Sequence, residues 1–215
     1  MTIVCIEGAS SVGKTTVCRI LEAEFGFTRV PEVNELYARS SEESPSWYFE
    51  RQVDRWEMAN EVSSSGGSAI LDGDPFQPVW YNWIFSDLGL QSIDAVLSFY
   101  CEKLNAGTIR LPDKYYLLTA GEIELRRRKE SDPSRSRSNF EMHLRLIEPQ
   151  LAYFAAMNEG APGLVSIMES IDSKNLAKLI ATESSVLKGK SCANIFDVLC
   201  GFVSAEHNKK NQADA

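Results

Sequence analysis

The run GASSVGKT, Gly8 to Thr15, fits the pattern G-x-x-x-x-G-K-[ST] and lies between a short apolar stretch, Thr2 to Ile6, and a stretch with helical spacing. This order constrains the fold more than any other feature of the chain. A strand must deliver the loop. Glycines must let backbone N–H groups approach an anion closely. A helix must then begin at the loop and aim its N-terminus at the same point. In such a cradle Gly8, Ser10, Ser11, Val12, Gly13, Lys14, Thr15 and Thr16 surround the phosphates. Lys14 reaches the β and γ oxygens, and the Thr15 hydroxyl helps to hold Mg²⁺.

The remaining sequence supplies elements to complete a sheet. Val17, Ile20, Leu21 and Phe25 recur at helical spacing, and Gly26 marks a stop. FTRVPEV (Phe27 to Val33) reads as a second strand ending near Pro31, and a helix is expected from about Trp47 to Val62. After the loop SSSGGS, AILDGD forms a third strand with an acidic C-terminal end, and a helix entry follows at Pro75. KYYLLTA (Lys114 to Ala120) is a fourth strand, followed by the charged helix GEIELRRRKE and the basic loop SDPSRSRS. Phe140, Leu144, Ile147, Leu151 and Phe154 form a helical stripe that Pro149 should bend or break. GLVSIM is the fifth strand, with helices after it and near Ala193 to Val203, and HNKKNQADA reads as a frayed tail.

Strands that alternate with helices imply a parallel sheet covered on both faces, with ligands beyond the carboxyl ends of the strands. The expectation is one domain over residues 1–205, with a lid at about 126–139 and a flexible tail over 206–215. On this layout Gly8–Thr15, Glu32, Asp72, Asp74 and the stretch after Ala120 share one rim.

A net charge of −8 argues against a general nucleic-acid binder, which would carry a basic face. The five cysteines (Cys5, Cys18, Cys101, Cys192, Cys200) are widely spaced with no C-x-x-C pair, as for reduced thiols in a cytoplasmic protein. No apolar run approaches membrane-spanning length, and the start of the chain carries no leader pattern.

Several side chains on the rim are candidates for chemistry, each with a plainer alternative. Asp72 follows a hydrophobic strand, where a carboxylate can orient Mg²⁺ or its water shell. Asp74, directly before Pro75, is either a helix N-cap or a substrate contact. Glu32 is either a general base for an attacking hydroxyl or an exposed glutamate in the first turn of the next helix; Glu35 is a weaker candidate. Arg126, Arg127, Arg128, Lys129, Arg135 and Arg137 place six cations within twelve residues, and not all can point inward. Arg128 and Arg135 are the candidates for stabilising a transferring phosphoryl group. Gln52 and Arg55, with Arg51 on the same helix, offer polar recognition. Trp80 represents an aromatic-rich region that either stacks on a flat ring or packs the core. His143 and His207 are too far apart in sequence to mark a metal pair.

Taken in order, IEGASSVGKTT, VPEV, AILDGDPF and LTAGEIELRRRKESDPSRSRSNFEMHLRL resemble the P-loop deoxynucleoside kinase and thymidylate kinase-like group, over roughly residues 2 to 180. The resemblance implies an α/β P-loop NTPase fold: a three-layer α/β/α sandwich around a five-stranded parallel sheet of order 2-3-1-4-5, with a helical arginine-rich lid. It also implies ATP·Mg²⁺ as donor. Glu32 is similar to the carboxylate that activates the acceptor hydroxyl, and Asp72 to the start of an acidic–Arg–Ser motif. Here Gly73 and Asp74 stand where that motif has Arg and Ser, so an arginine that would contact the acceptor is missing.

The function expected is an ATP-dependent small-molecule kinase acting on a hydroxyl or phosphate of a nucleoside- or nucleotide-like acceptor, with Lys14, Glu32, Asp72, Arg128 and Arg135 as catalytic residues. The acceptor would lie among Glu32, Gln52, Arg55, Asp74 and Trp80. A phosphotransferase for antibiotics or other metabolites on the same scaffold is the alternative. A nucleotide-regulated switch is a further one, although N-K-x-D is absent and no switch threonine precedes D-x-x-G. The partners are a nucleoside triphosphate and a small molecule, with no nucleic acid or membrane; a homodimer is left open.

Overall fold

The computed structural model describes residues 1–39, 43–132, 139–187 and 194–213. Five strands, β1 (Thr2–Gly8), β2 (Phe27–Val30), β3 (Ser68–Asp72), β4 (Lys114–Thr119) and β5 (Val165–Glu169), form one sheet of order 2-3-1-4-5. Every pairing is parallel, with Ile6 opposite Asp72 and Gly8 opposite Leu118. The helices are α1 (Lys14–Phe25), α2 (Val33–Leu36), α3 (Trp47–Ser64), α4 (Gln77–Ile84), α5 (Ile93–Asn105), α6 (Glu122–Ser131), α7 (Phe140–Leu144), α8 (Ile147–Gly160), α9 (Ser173–Ser184) and α10 (Ile195–Ala213).

Alternation along the strands divides the core in two. Val4, Ile6, Ile70, Tyr116 and Leu118 pack with Val17, Leu21, Leu176 and Ile180 of α1 and α9. Ile3, Cys5, Ala69, Leu71, Tyr115 and Leu117 pack with residues of α3, α4, α5, α8 and α10, including Trp56, Trp80, Tyr100, Phe154 and Leu199. Burial on both faces explains why the strands read as continuous apolar runs.

β2 stops at Val30, next to Pro31 as expected, because Pro31 cannot donate to a ladder, and the chain turns into α2 at Glu32. Two other stretches differ from the sequence expectation. The stripe from Phe140 to Phe154 is split between α7 and α8, upstream of Pro149. That proline lies in the first turn of α8, where its missing N–H leaves no helical bond unmade. The expected frayed tail is instead helical to Ala213. Lys210 Nζ donates to Ile84 O (3.3 Å) and Ser86 Oγ (3.2 Å), which ties this end of α10 to the end of α4, and Lys209 pairs with Glu206 within α10. Among the described residues, no helix is long and apolar enough to cross a membrane.

Candidate active site

The loop between β1 and α1 is shaped by one very close approach. Gly8 has φ +145°, and a Cβ there would lie 2.3 Å from Leu118 O on the neighbouring strand, so a side chain has no room. Val12 N–H donates to Ala9 O (3.2 Å), and Ser11 takes a left-handed φ of 68° although it is not glycine. Its Oγ is buried with no protein partner among the described residues. A left-handed serine with an orphaned hydroxyl is the kind of local cost found where a loop is shaped for a ligand.

Lys14 Nζ donates to Gly8 O (2.8 Å) and lies between two carboxylates, Glu7 Oε1 at 3.9 Å and Glu32 Oε1 at 3.8 Å. Burial alone would lower its pKa, but Glu7, Glu32 and Asp72 outweigh this and raise it. Lys14 is therefore a cation throughout the ordinary pH range. Glu7, for which the sequence reading assigned no role, is buried at the end of β1. It accepts from the N–H groups of Gly8 (2.7 Å) and Asp74 (2.8 Å), so it joins the phosphate loop to the end of β3. Burial raises its pKa, against the pull of Lys14 and the two N–H groups.

Glu32 is the N-cap residue of α2, yet its side chain makes no capping bond and extends to Lys14. Glu35 is spent elsewhere, accepting from Arg29 Nη1 (2.9 Å) and Nη2 (2.6 Å). The same guanidinium grips Asp72 Oδ2 through Nε (3.0 Å) and Nη2 (2.7 Å). Asp72 is fully buried and does not line the cleft; its Oδ1 has no protein partner among the described residues.

Arg55 is only 1% exposed and acts as a clamp. Its Nε donates to Pro31 O (2.6 Å), Nη1 to Gln52 Oε1 (2.5 Å), and Nη2 to Asp72 O (2.8 Å) and Gly73 O (3.0 Å). The ends of β2 and β3 are thus fixed to α3. Gly73 has φ +94°, with Glu32 and Glu7 side-chain atoms 3.6–3.8 Å from where a Cβ would stand. An arginine in its place would be strained by that φ, with its Cβ in contact with both glutamates.

Asp74 corrects both of its expected roles. The N-cap of α4 is Phe76, not Asp74, because the helix begins at Gln77. Nor does Asp74 reach the cleft: it is buried, accepting from Phe76 N–H (2.9 Å), Tyr115 OH (3.2 Å) and Trp80 Nε1 (2.9 Å). It fixes Trp80, which does line the cleft, from behind. Burial pushes the Asp74 pKa up to about 7; the nearby Glu7 charge adds to this, and the three donors oppose it.

The arginines after β4 divide as their helix geometry dictates. Arg126 pairs with Glu122 and Glu141, and Arg127 with Glu124. Arg128 turns inward: Nε donates to Glu124 (2.6 Å), Nη1 to Val12 O (2.9 Å) and Ser170 Oγ (3.1 Å), and Nη2 to Ser170 O. It braces the phosphate loop against the β5–α9 connection. Arg135, Arg137 and Cys192 lie outside the described residues. His143 is within hydrogen-bonding reach of Tyr81 OH (3.4 Å) and lines the cleft; burial lowers its pKa, as does Lys14.

One cleft of about 670 Å³ joins these parts. It is lined by the phosphate loop from Gly8 to Thr16, by Glu7 and Glu32, by Gln52, Arg55, Gln77 and Trp80, and by Arg128. Of the residues expected at the site, Asp72 and Asp74 lie behind its walls.

No family model matches the sequence, and no curated protein matches it. Among solved structures, deoxyadenosine kinase from M. mycoides with the products dCMP and a flexible dCDP bound is similar at a TM-score of 0.54 and 15% identity. The match covers 84% of this chain and 97% of that one. The same kinase with bound dATP gives a TM-score of 0.54 at 14% identity, covering 84% and 98%. The fold is similar to that of these structures. Five parallel strands in the order 2-3-1-4-5 between helical layers agree with the architecture expected from the sequence.

Proposed function

We propose that the chain is an ATP-dependent kinase that transfers the γ-phosphoryl group to a hydroxyl or phosphate of a nucleoside- or nucleotide-like acceptor. The observation that carries this reading is the single cleft in which a phosphate loop faces a carboxylate, Glu32, and a wall of amide, guanidinium and indole groups. A switch needs the first of these but has no use for the others. Similarity in fold to a deoxyadenosine kinase supports the same reaction class.

In this reading the triphosphate lies over Gly8–Thr16, where backbone N–H groups and the N-terminus of α1 receive it. Glu32, carrying no capping duty, takes the proton of the attacking hydroxyl. Lys14 offsets charge on the transferring group. Arg128, and Arg135 from the lid, complete the cationic surround, with Arg128 also holding the loop through Val12 O. Thr15, which lines the cleft, is the residue that would hold Mg²⁺; Asp72, behind the wall with its Oδ2 held by Arg29, does not fit that use. Mg²⁺ held there would supply positive charge against the charge that develops on the phosphate oxygens.

The test is a transfer screen with ATP·Mg²⁺ against nucleosides, nucleotides and hydroxylated antibiotics, read by mass spectrometry. The reading requires ADP formation that depends on an acceptor, and a product heavier by one phosphoryl group. Nucleotide hydrolysis indifferent to every acceptor would return the chain to the switch class. Transfer to an antibiotic alone would favour the alternative that Gly73, in place of an arginine, keeps open.

A further inference from the structure

Four polar side chains along the acceptor wall form a hydrogen-bond relay whose direction is fixed by its first member. Arg55 can only donate. The Gln52 atom 2.5 Å from its Nη1 is therefore the amide oxygen, and Gln52 must present its nitrogen on the other side. That nitrogen meets the side chain of Gln77 at 3.5 Å, so the Gln77 atom it meets is again oxygen. The same Gln77 Oε1 accepts from Tyr48 OH at 2.6 Å, which settles the hydroxyl as donor. Each amide is locked oxygen-inward. The nitrogen of Gln77 has no protein partner among the described residues, and Gln52 Nε2 has one hydrogen beyond the long contact to Gln77. Gln52 and Gln77 both line the cleft, Gln52 with only 1% of its surface exposed.

An unconstrained glutamine adapts, turning either its oxygen or its nitrogen to a ligand. Gln52 cannot turn without facing N–H against the guanidinium, and Gln77 cannot turn without facing its amide nitrogen against that of Gln52; either change is costly. Arg55 itself cannot move to allow it, since its other donors hold three backbone carbonyls.

Building on the nucleoside-kinase reading, we propose that the acceptor wall is a one-way, hydrogen-bond-donating surface. It selects a nucleoside whose base carries an exocyclic oxygen, rather than an amine, at the edge that meets Gln52 and Gln77. An amine there sets N–H against N–H; an oxygen offers lone pairs to both amides.

The experiment uses two deoxynucleosides of nearly equal shape, 6-methoxypurine and 6-methylaminopurine, which keep the same ring nitrogens and differ in the exocyclic atom. Each is titrated calorimetrically into the full chain without a donor, so that binding is read independently of phosphate transfer. The methoxy compound should bind about tenfold more tightly, the effect of one mismatched buried polar contact. Gln77→Glu, at the first residue of α4 where a carboxylate suits the helix dipole, replaces the exposed nitrogen by oxygen and should reverse the preference. If that variant does not fold, Tyr48→Phe removes the hydroxyl that locks Gln77 and should bring the ratio towards one. Equal binding of the two compounds by the unaltered chain overturns the proposal, as does a preference that the folded variant leaves unchanged. Failure of both compounds to bind overturns the nucleoside reading itself, an outcome distinct from equal binding.

Discussion

Asp74→Asn offers a test of how the acceptor wall is supported. Asp74 is buried beside Glu7, and its pKa is raised from 3.8 to about 7, so the folded chain holds a proton there that the unfolded chain releases. The sign differs from the usual carboxylate. Because the folded pKa exceeds the unfolded one, the stabilising contribution is fully present below pH 3.8 and is lost as pH rises towards and through 7. Between pH 5 and pH 8 the loss from this group comes to roughly 3 kcal/mol. Glu7 is raised in the same direction, while Tyr115, Tyr100 and Tyr153, which surround Asp74, have pKa values pushed further above 10 and stay neutral over this window. Urea unfolding of the unaltered chain and of Asp74→Asn at pH 5, 6, 7 and 8 isolates the contribution. Asparagine carries no charge at any of these values, so the stability difference between the two proteins should move by roughly 3 kcal/mol in favour of the variant from pH 5 to pH 8. A difference that stays flat with pH would show that the three donors from Phe76, Trp80 and Tyr115 keep Asp74 ionised throughout, and the burial argument would fail.

Other substitutions probe the remaining parts. Glu32→Gln should lower kcat by about 10²–10⁴-fold while calorimetric ATP affinity holds, since the side chain acts on the acceptor proton; unchanged turnover would remove Glu32 from the reaction. Arg55→Met leaves the carbonyls of Pro31, Asp72 and Gly73 without their donor and should cost on the order of 3 kcal/mol in denaturant unfolding, part of the loss being offset by no longer burying a cation. A cost below about 1 kcal/mol would mean that the strand ends do not depend on the clamp. Gly8→Ala sets a Cβ 2.3 Å from Leu118 O and should lower stability by at least about 3 kcal/mol and abolish nucleotide binding, both readable by thermal melts with and without ATP.

The parts of this molecule that were legible in its sequence are those governed by local rules. The parallel sheet followed from strands alternating with helices, its order from the resemblance to the deoxynucleoside kinase group, and the phosphate loop from glycine spacing between a strand and a helix. Even the sorting of the lid arginines was readable in part: Glu122 with Arg126 and Glu124 with Arg128 are one helical turn apart, a spacing that pairs them whatever the fold. α5 was legible and overlooked, for Ser92 caps it through Ala95 N–H and Ile93, Val96 and Tyr100 supply a buried face. What resisted the sequence reading was decided by groups far apart in the chain. Asp74 before Pro75 has the local signature of an N-cap, but Trp80 and Tyr115 converge on its carboxylate and Glu7 takes its N–H, so burial overrides the local preference. Glu7 stabilises two backbone N–H groups, Gly8 and Asp74, and such partners leave no trace in side-chain patterns. Gly73 shows how the two levels connect. Read as a letter it is a lost arginine; in the fold it lets the chain turn at φ +94° while Arg55, from a different helix, places a guanidinium on the Gly73 carbonyl. A guanidinium does stand at this corner of the cleft. It comes from α3, where its bonds to the strand ends keep it from reaching freely and where it orients Gln52.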